Sequence, residues 1–202
     1  MITQRERQLK GLLFDAHEEE LMKIKHRAHV MCQKYNGLDE WDNERKGIID
    51  ELLGGKGENV YFQGPIQFNY GCNTYIGDNF FANFNLTVLD DAKIKIGNHV
   101  MIGPNVSLMA SSHPLDYMQR ESTTYPDGHV SMSEYAKGIT ICGHVWIACG
   151  VIICDGVTIG EGSVIGAGSV VTKDIPSGYL ACGVPCKPIR KICEKDKCLD
   201  LL

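Results

Sequence analysis

The run VWIACG-VIICDG-VTIGEG-SVIGAG-SVV, Val145 to Val171, repeats itself every six residues. Each unit places an aliphatic residue two positions after a compact one: Ile147 after Val145, Ile153 after Val151, Ile159 after Val157, Ile165 after Ser163, Val171 after Ser169. Working outward, the same register holds at Ile141, at Ile102-Gly103 with Val106, and at Ile96-Gly97 with Val100. An earlier set begins at Ile76-Gly77, with Ala82 and Val88 in phase. A period of six is neither the 3.6 of a helix nor the 2 of a simple strand. It suits a short strand that ends in a tight corner, where the aliphatic side chain points inward and a small residue lets the backbone turn. Three such units close one triangular coil of 18 residues, and stacked coils pair their edges in parallel around a shared apolar core. The reading predicts a mainly β parallel helix, whose period of six is legible after residue 70.

The register breaks once. Roughly Ala110 to Gly138 carries Ser, His, Pro, Tyr, Asp and Glu but no repeat. A solenoid that interrupts itself with a long polar loop usually does so for function, so the chemistry is expected there. Residues 1 to 57 hold 10 of the 20 basic residues and read as helical. Leu21, Ile24, Ala28, Met31, Cys32 and Tyr35 fall at helical spacing, with a stop at Asn36-Gly37. Ile48, Ile49, Leu52 and Leu53 mark a shorter helix, and a first one is expected over Arg5 to Phe14. The expected organisation is a helical cap over 1–57, a β-helix over 58–190 with the 110–138 loop, and a tail over 191–202. Glu58, Tyr61, Gln63 and Gly64 imitate a protease-cleavage scar, but the stretch runs straight into the repeats and is read as native.

Composition narrows the class. Net charge is −5, which gives no sign of a nucleic-acid or anionic-membrane partner. The start, MITQRERQLK, lacks the apolar core of a secretory signal. The longest uncharged run, Gly138 to Cys154, is short for a membrane span and belongs to the repeat. Nine cysteines without a C-x2-C pair fit reduced thiols in a cytoplasm better than disulfides or zinc.

Several stretches together resemble the galactoside and maltose O-acetyltransferases, a branch of the hexapeptide-repeat transferases. They are Asn83-Phe84-Asn85-Leu86-Thr87, Asp90-Asp91, His113-Pro114-Leu115-Asp116, and His144 with Val145-Trp146-Ile147. Further on come Gly156 to Gly160, Val164 to Pro176, and Gly183-Val184-Pro185. The resemblance covers nearly the whole chain. It implies a left-handed coil, a homotrimer, active sites in clefts between subunits, acetyl-CoA as co-substrate, and no metal.

On that resemblance His113 is the general base, since a sugar hydroxyl must lose its proton as it attacks a thioester and an imidazole accepts protons near neutral pH. Read alone, a loop histidine could equally make only a hydrogen bond. Asn83 is assigned to the catalytic end of the cleft. Asp15, Asp91, Asn69 and Phe81 are assigned to the acceptor, because carboxylates accept hydrogen bonds from sugar hydroxyls. Trp146, Cys149, Ala167, Thr172, Lys173, Lys187 and Arg190 match the coenzyme groove. The tryptophan would wall the pantetheine arm, and the backbone N–H at Cys149 would serve the oxyanion. Lys173 and Arg190 could neutralise phosphates. Departures are Cys149 for a small residue, Lys187 for an arginine, and Gly138 for a proline, which suggests a looser hinge.

Three other functions compete. A non-sugar acceptor such as an antibiotic or amino acid is the nearest alternative. A metal-dependent hydratase needs histidines converging on one ion, and no close pair exists among His99, His113, His129 and His144. A non-catalytic scaffold gives no reason for the full groove sequence beside His113.

Overall fold

The computed structural model describes residues 2–125 and 128–198. The expected tail therefore lies partly outside the described residues, as do Met1 of the cap and two residues of the loop. The chain forms a left-handed parallel β-helix with an N-terminal helical cap. Its prism has one seven-stranded face and two five-stranded faces. One five-stranded sheet contains Thr74–Ile76 and Ile94–Ile96, the seven-stranded sheet contains Phe80–Ala82 and Trp146–Ile147, and the other five-stranded sheet contains Leu86–Leu89 and Ile152–Ile153. Following the chain, the first corner links the first of these sheets to the second, the second corner links the second to the third, and the third corner returns to the next coil.

The repeat explains the interior. Ile147 lies against Ile102 and Ile165 in the neighbouring coils, and Ile153 against Leu108 and Val171. All are buried, and each removes apolar surface from water, which favours the stack. Small residues at the corners follow from the spacing of coils. A Cβ on Gly103 would lie 2.8 Å from the Cys149 nitrogen, and one on Gly97 2.6 Å from the Gly143 nitrogen. At the first corner Asn59, Asn79, His99 and His144 all adopt positive φ, between 54° and 58°, a region that asparagine and histidine enter more readily than most residues.

Strand pairing begins before the period of six is legible. Gly55–Lys56, Val60–Phe62 and Ile66–Phe68 already pair with the following coil, so the cleavage-like stretch is part of the first coil. The lead positions there are Lys56, Phe62 and Phe68, a charged residue and two aromatics, which hide the aliphatic-small signature. The 18-residue coil holds only late, as in Ile147 to Ile165. Early coils have 20 residues, Phe62 to Ala82 to Ile102. The two additional residues widen the third corner, from Phe68 to Ile76 and from Val88 to Ile96.

Asp90 stabilises that widened corner. Its Oδ1 accepts from the amides of Tyr70 (2.8 Å) and Gly71 (3.1 Å), and its Oδ2 from the Asn73 amide (3.3 Å) and the Thr74 hydroxyl (3.0 Å). A buried carboxylate with this many donors satisfies amides that would otherwise be orphaned.

The cap closes the open edge of the first coil, a place where unpaired strand groups would otherwise face solvent. Its helices are α1 (Gln4–Leu9), α2 (Glu19–Gly37) and α3 (Glu44–Leu52). Asn36 at the end of α2 accepts from the Ile66 amide (2.8 Å) and donates to the Ile66 carbonyl (2.9 Å), as a neighbouring strand would. Helix α1 is shorter than expected. It starts on a Thr3–Glu6 capping box, and Gly11 at φ +67° turns the chain out of it. Phe14–Asp15 is instead a strand, paired antiparallel with Ser133–Glu134.

The 110–138 loop leaves at the third corner. It contains a short helix, α4 (Tyr117–Arg120), and strand Ser133–Ala136, which lies between Ser111–Ser112 and the cap strand. Its return is fixed: the Lys137 amide donates to Ala110 (3.0 Å) and the Ile139 amide to Lys93 (3.2 Å). A Cβ on Gly138 would lie 2.5 Å from the Lys93 carbonyl oxygen. The glycine serves close packing here.

Candidate active site

The third corner gathers one group of assigned residues. Asn69 in the first coil donates from Nδ2 to Asp91 Oδ2 in the second, at 2.9 Å. Both residues occupy the same corner one coil apart, so the widened turn that Asp90 holds also presents Asp91. The loop adds His113, which is exposed and lacks a hydrogen-bond partner among the described residues. The cap adds Asp15 through the strand pairing at Ser133–Glu134.

Two residues that sequence reasoning passed over complete this group. Glu134, on the strand between Asp15 and Ser112, is pushed above the usual carboxylate range by burial and by the charge of Asp91. Lys25 and His113 counter that push, so both side chains stand near Glu134. Asp91 is likewise raised, by burial first, against Asn69, Lys25 and His113. Glu134 lies in the loop where chemistry was expected, but nothing local distinguishes it from any loop acid. Lys25 sits on the polar side of the α2 pattern, and only docking of the cap turns it toward the corner.

Asp15 is 1% exposed. Its Oδ2 lies 2.6 Å from His129 Nε2, and its Oδ1 accepts from the His17 amide at 2.9 Å. Burial works to raise this carboxyl, but bonds from Ser131, the His17 amide and His129 outweigh it and hold it low. Asp15 thus ties the loop to the cap.

The second group lies elsewhere. Asn83, Gly103, Pro104, Trp146, Ala148, Cys149, Gly166 and Ala167 line an open cavity of about 600 Å³ at the second corner. Trp146 is 48% exposed and points outward from the seven-stranded sheet, so it is a wall and not a core residue. Asn83 accepts the Phe84 amide on Oδ1 (2.8 Å), and its Nδ2 has no partner among the described residues. The Cys149 amide also has no acceptor among the described residues, whereas the flanking Ala148 and Gly150 amides are both bonded. A free N–H, an amide donor and small walls suit an extended thioester arm and a developing oxyanion. Phe81 stacks on Tyr61 at 6.1 Å and stands on the sheet leading to this corner, apart from Asn69 and Asp91.

The two groups do not meet within one chain. Asn83 precedes the strand Leu86–Leu89, and Asp91 follows it. Four strand residues alone span about 10 Å. Thr172 and Lys173 follow Val170–Val171 at the third corner. Lys187 and Arg190 lie on the exposed strand Lys187–Lys191, where Arg190 forms a bidentate pair with Asp196 (2.6 and 2.7 Å).

Comparison with known proteins gives a consistent picture. Residues 7–57 match the maltose acetyltransferase hexapeptide capping motif, and residues 138–173 match the bacterial transferase hexapeptide of six repeats. The galactoside O-acetyltransferase of Escherichia coli K12 is 42% identical over 93% of this chain and 88% of its own length. A solved galactoside acetyltransferase in complex with coenzyme A superposes with a TM-score of 0.87 at 40% identity, covering 97% of this chain and 94% of that one. A maltose O-acetyltransferase from Clostridium difficile 630 gives 0.84 at 39% identity, covering 96% and 99%.

Proposed function

The chain belongs to the maltose and galactoside O-acetyltransferase family of hexapeptide-repeat enzymes, and from that premise we propose that it transfers acetyl from acetyl-CoA to a sugar hydroxyl in a cleft shared by two copies of itself. The observation that carries this reading is the separation just described. His113, Asn69, Asp91 and Glu134 gather at one corner, and the cavity lined by Asn83, Trp146 and Cys149 opens at another. A neighbouring copy that lays its second corner against the third corner of the first completes the site. The outward row Tyr61, Met101 and Trp146, respectively 39%, 52% and 48% exposed, supports such packing. A closed ring of three satisfies every copy equally. Nine unpaired thiols suit a reducing compartment, in keeping with a cytoplasmic enzyme.

In this reading Asp91, Asn69 and Glu134 orient the sugar. His113 takes the proton of one hydroxyl, whose oxygen attacks the thioester carbonyl carbon. The Cys149 amide and Asn83 Nδ2 stabilise the tetrahedral oxyanion. Collapse breaks the carbon–sulfur bond, the thiolate of coenzyme A leaves, and the imidazolium returns the proton to it. Lys173, Lys187 and Arg190 serve the nucleotide phosphates, and Arg190 must exchange Asp196 to do so.

The test is initial-rate kinetics with acetyl-CoA against glucosides, galactosides, maltose, chloramphenicol and free amino acids. Sugar acetylation with intersecting lines is expected. Preference for chloramphenicol or an amino acid, or parallel lines, would refute the acceptor class or the direct route respectively.

A further inference from the structure

Arg45, on α3, is 8% exposed and forms no ion pair among the described residues. An arginine this deep is seldom left without a carboxylate, because an uncompensated charge in the interior is costly. Its Nη2 donates to the carbonyls of Gln63 (2.8 Å) and Phe62 (3.4 Å), which ties α3 to the first coil. Its guanidinium carbon lies 4.1 Å from the centroid of the Tyr35 ring. The other two nitrogens have no acceptor among the described residues. Nε is fully enclosed, whereas Nη1 is not, and Arg45 lines a cavity of about 260 Å³ between the cap and the first coil.

The rest of the lining is of two kinds. The buried side chains of Tyr35, Ile49 and Phe62 give it an apolar floor, and Trp41, Lys46 and Tyr61 stand at its rim. Trp41 is 88% exposed, and its amide is fixed by Asp39 Oδ1 at 3.0 Å. Lys46 is exposed and forms no ion pair among the described residues, whereas the neighbouring Lys56 is taken by Asp50 at 2.8 Å. The two acids of the rim are already engaged: Glu40 accepts the Tyr61 hydroxyl (3.1 Å) and Asp42 the Glu44 amide (2.8 Å).

We infer that this cavity is a binding site for a small carboxylate with a flat apolar body, held by Arg45 and Lys46 and covered by Trp41. The carboxylate accepts from the free Arg45 Nη1 and supplies the missing negative charge, and the body lies on the apolar floor. A charge-assisted bond of this kind is stronger than a neutral one. The cavity falls below the roughly 300–1,000 Å³ of pockets for drug-sized ligands, so it suits a single ring. A bare phosphate leaves the floor uncovered, and a neutral sugar leaves the guanidinium uncompensated. The site is distinct from the coenzyme groove. Tyr61 reaches Trp146 through Phe81 and Met101, three strand steps, or about 14 Å. The inference therefore stands whether or not the acetyl-transfer reading does.

Benzoate is the probe, with benzamide as its uncharged isostere and inorganic phosphate and maltose as the other arms. Calorimetry on the wild type is expected to show benzoate binding at least about tenfold tighter than benzamide, the value of a bond to a charged group, and tighter than phosphate or maltose. Arg45→Lys is expected to weaken benzoate about tenfold, and Trp41→Ala about fivefold through lost ring contact. If Arg45→Lys unfolds the cap, the exposed change Lys46→Gln carries the charge test, with a loss of about threefold. Trp41 and Trp146 are the two tryptophans, so fluorescence locates the ligand: benzoate should quench Trp146→Phe protein, in which Trp41 alone emits. Equal affinity for benzoate and benzamide, tighter binding of phosphate or maltose, or no binding of any probe would overturn the inference. So would wild-type affinity in the folded variants, quenching of Trp146 alone, or a crystal structure in which a carboxylate of another copy fills the cavity.

Discussion

Mixing two inactive variants tests the shared cleft quantitatively. His113→Ala copies keep Asn83, and Asn83→Ala copies keep His113. If each site takes His113 from one copy and Asn83 from the next, a site in a mixed ring is intact only when an Asn83→Ala copy supplies the histidine and a His113→Ala copy supplies the asparagine. Random assembly at equal amounts gives one half times one half, so about a quarter of wild-type activity returns, whatever the number of copies in the ring. Each parent alone should fall to about 1% or less, because a general base contributes roughly 10²–10⁴ in rate and an oxyanion donor about 10²–10³. The expected gain over background is therefore at least about twenty-five-fold. Co-expression with two different affinity tags, purification through both, and chromatography of acetylated glucoside supply the readout. Tandem capture enriches mixed rings and raises the fraction further, so untagged re-assembly at equal ratio is the calibrated arm. Mixed oligomers that are demonstrably present yet no more active than their parents would refute the reasoning, since Asn83 and His113 would then serve within one chain or not at all.

Other outcomes follow from single side chains. Cys149→Ser should keep most of the activity, because the proposed donor is its backbone N–H, whereas His113→Ala should lose at least about a hundredfold in kcat; an acetylated Cys149 that discharges onto sugar at the turnover rate contradicts this. Asp90→Ala removes the acceptor for the Tyr70, Gly71 and Asn73 amides and should cost about 3 kcal/mol or more. That corresponds to a fall of roughly 10 °C in melting temperature for a chain of this size, and an unchanged melting curve counts against the corner argument. Glu134 has its pKa raised in the folded chain, so the native state holds its proton longer than the unfolded state. Stability from this group is then lost as pH rises from the ordinary carboxylate range through the raised value. Glu134→Gln should gain melting temperature relative to wild type across that window; a difference independent of pH argues against a strained carboxyl. Asp15 has the opposite sign, with a depressed folded pKa. The stability it contributes should be present above the ordinary carboxylate range and lost as pH falls through the folded value, so the advantage of wild type over Asp15→Asn should shrink in acid.

The period of six carried the architecture in the sequence. An aliphatic residue that must point inward and a small one that must clear the next coil are local demands, repeated until they leave little freedom. For the same reason the first coil was hidden, because Lys56, Phe62 and Phe68 satisfy the same geometry with different residue types. Helix α1 was overextended because its apolar residues continue past Gly11, while the turn at positive φ and the pairing of Phe14–Asp15 with Ser133–Glu134 depend on a partner over a hundred residues away. His113 stood out because a histidine in an interruption of a repeat is conspicuous. Glu134 and Lys25 did not stand out, since each is ordinary in its own neighbourhood. What the sequence determined by itself was the solenoid, because its forces act between residues six apart and between equivalent positions of adjacent coils. What only tertiary structure decided was which corner each polar residue occupies and which of them face one another. Those contacts form across the cap, the loop and separate coils, and they are set by burial and hydrogen bonding between segments that share no local pattern.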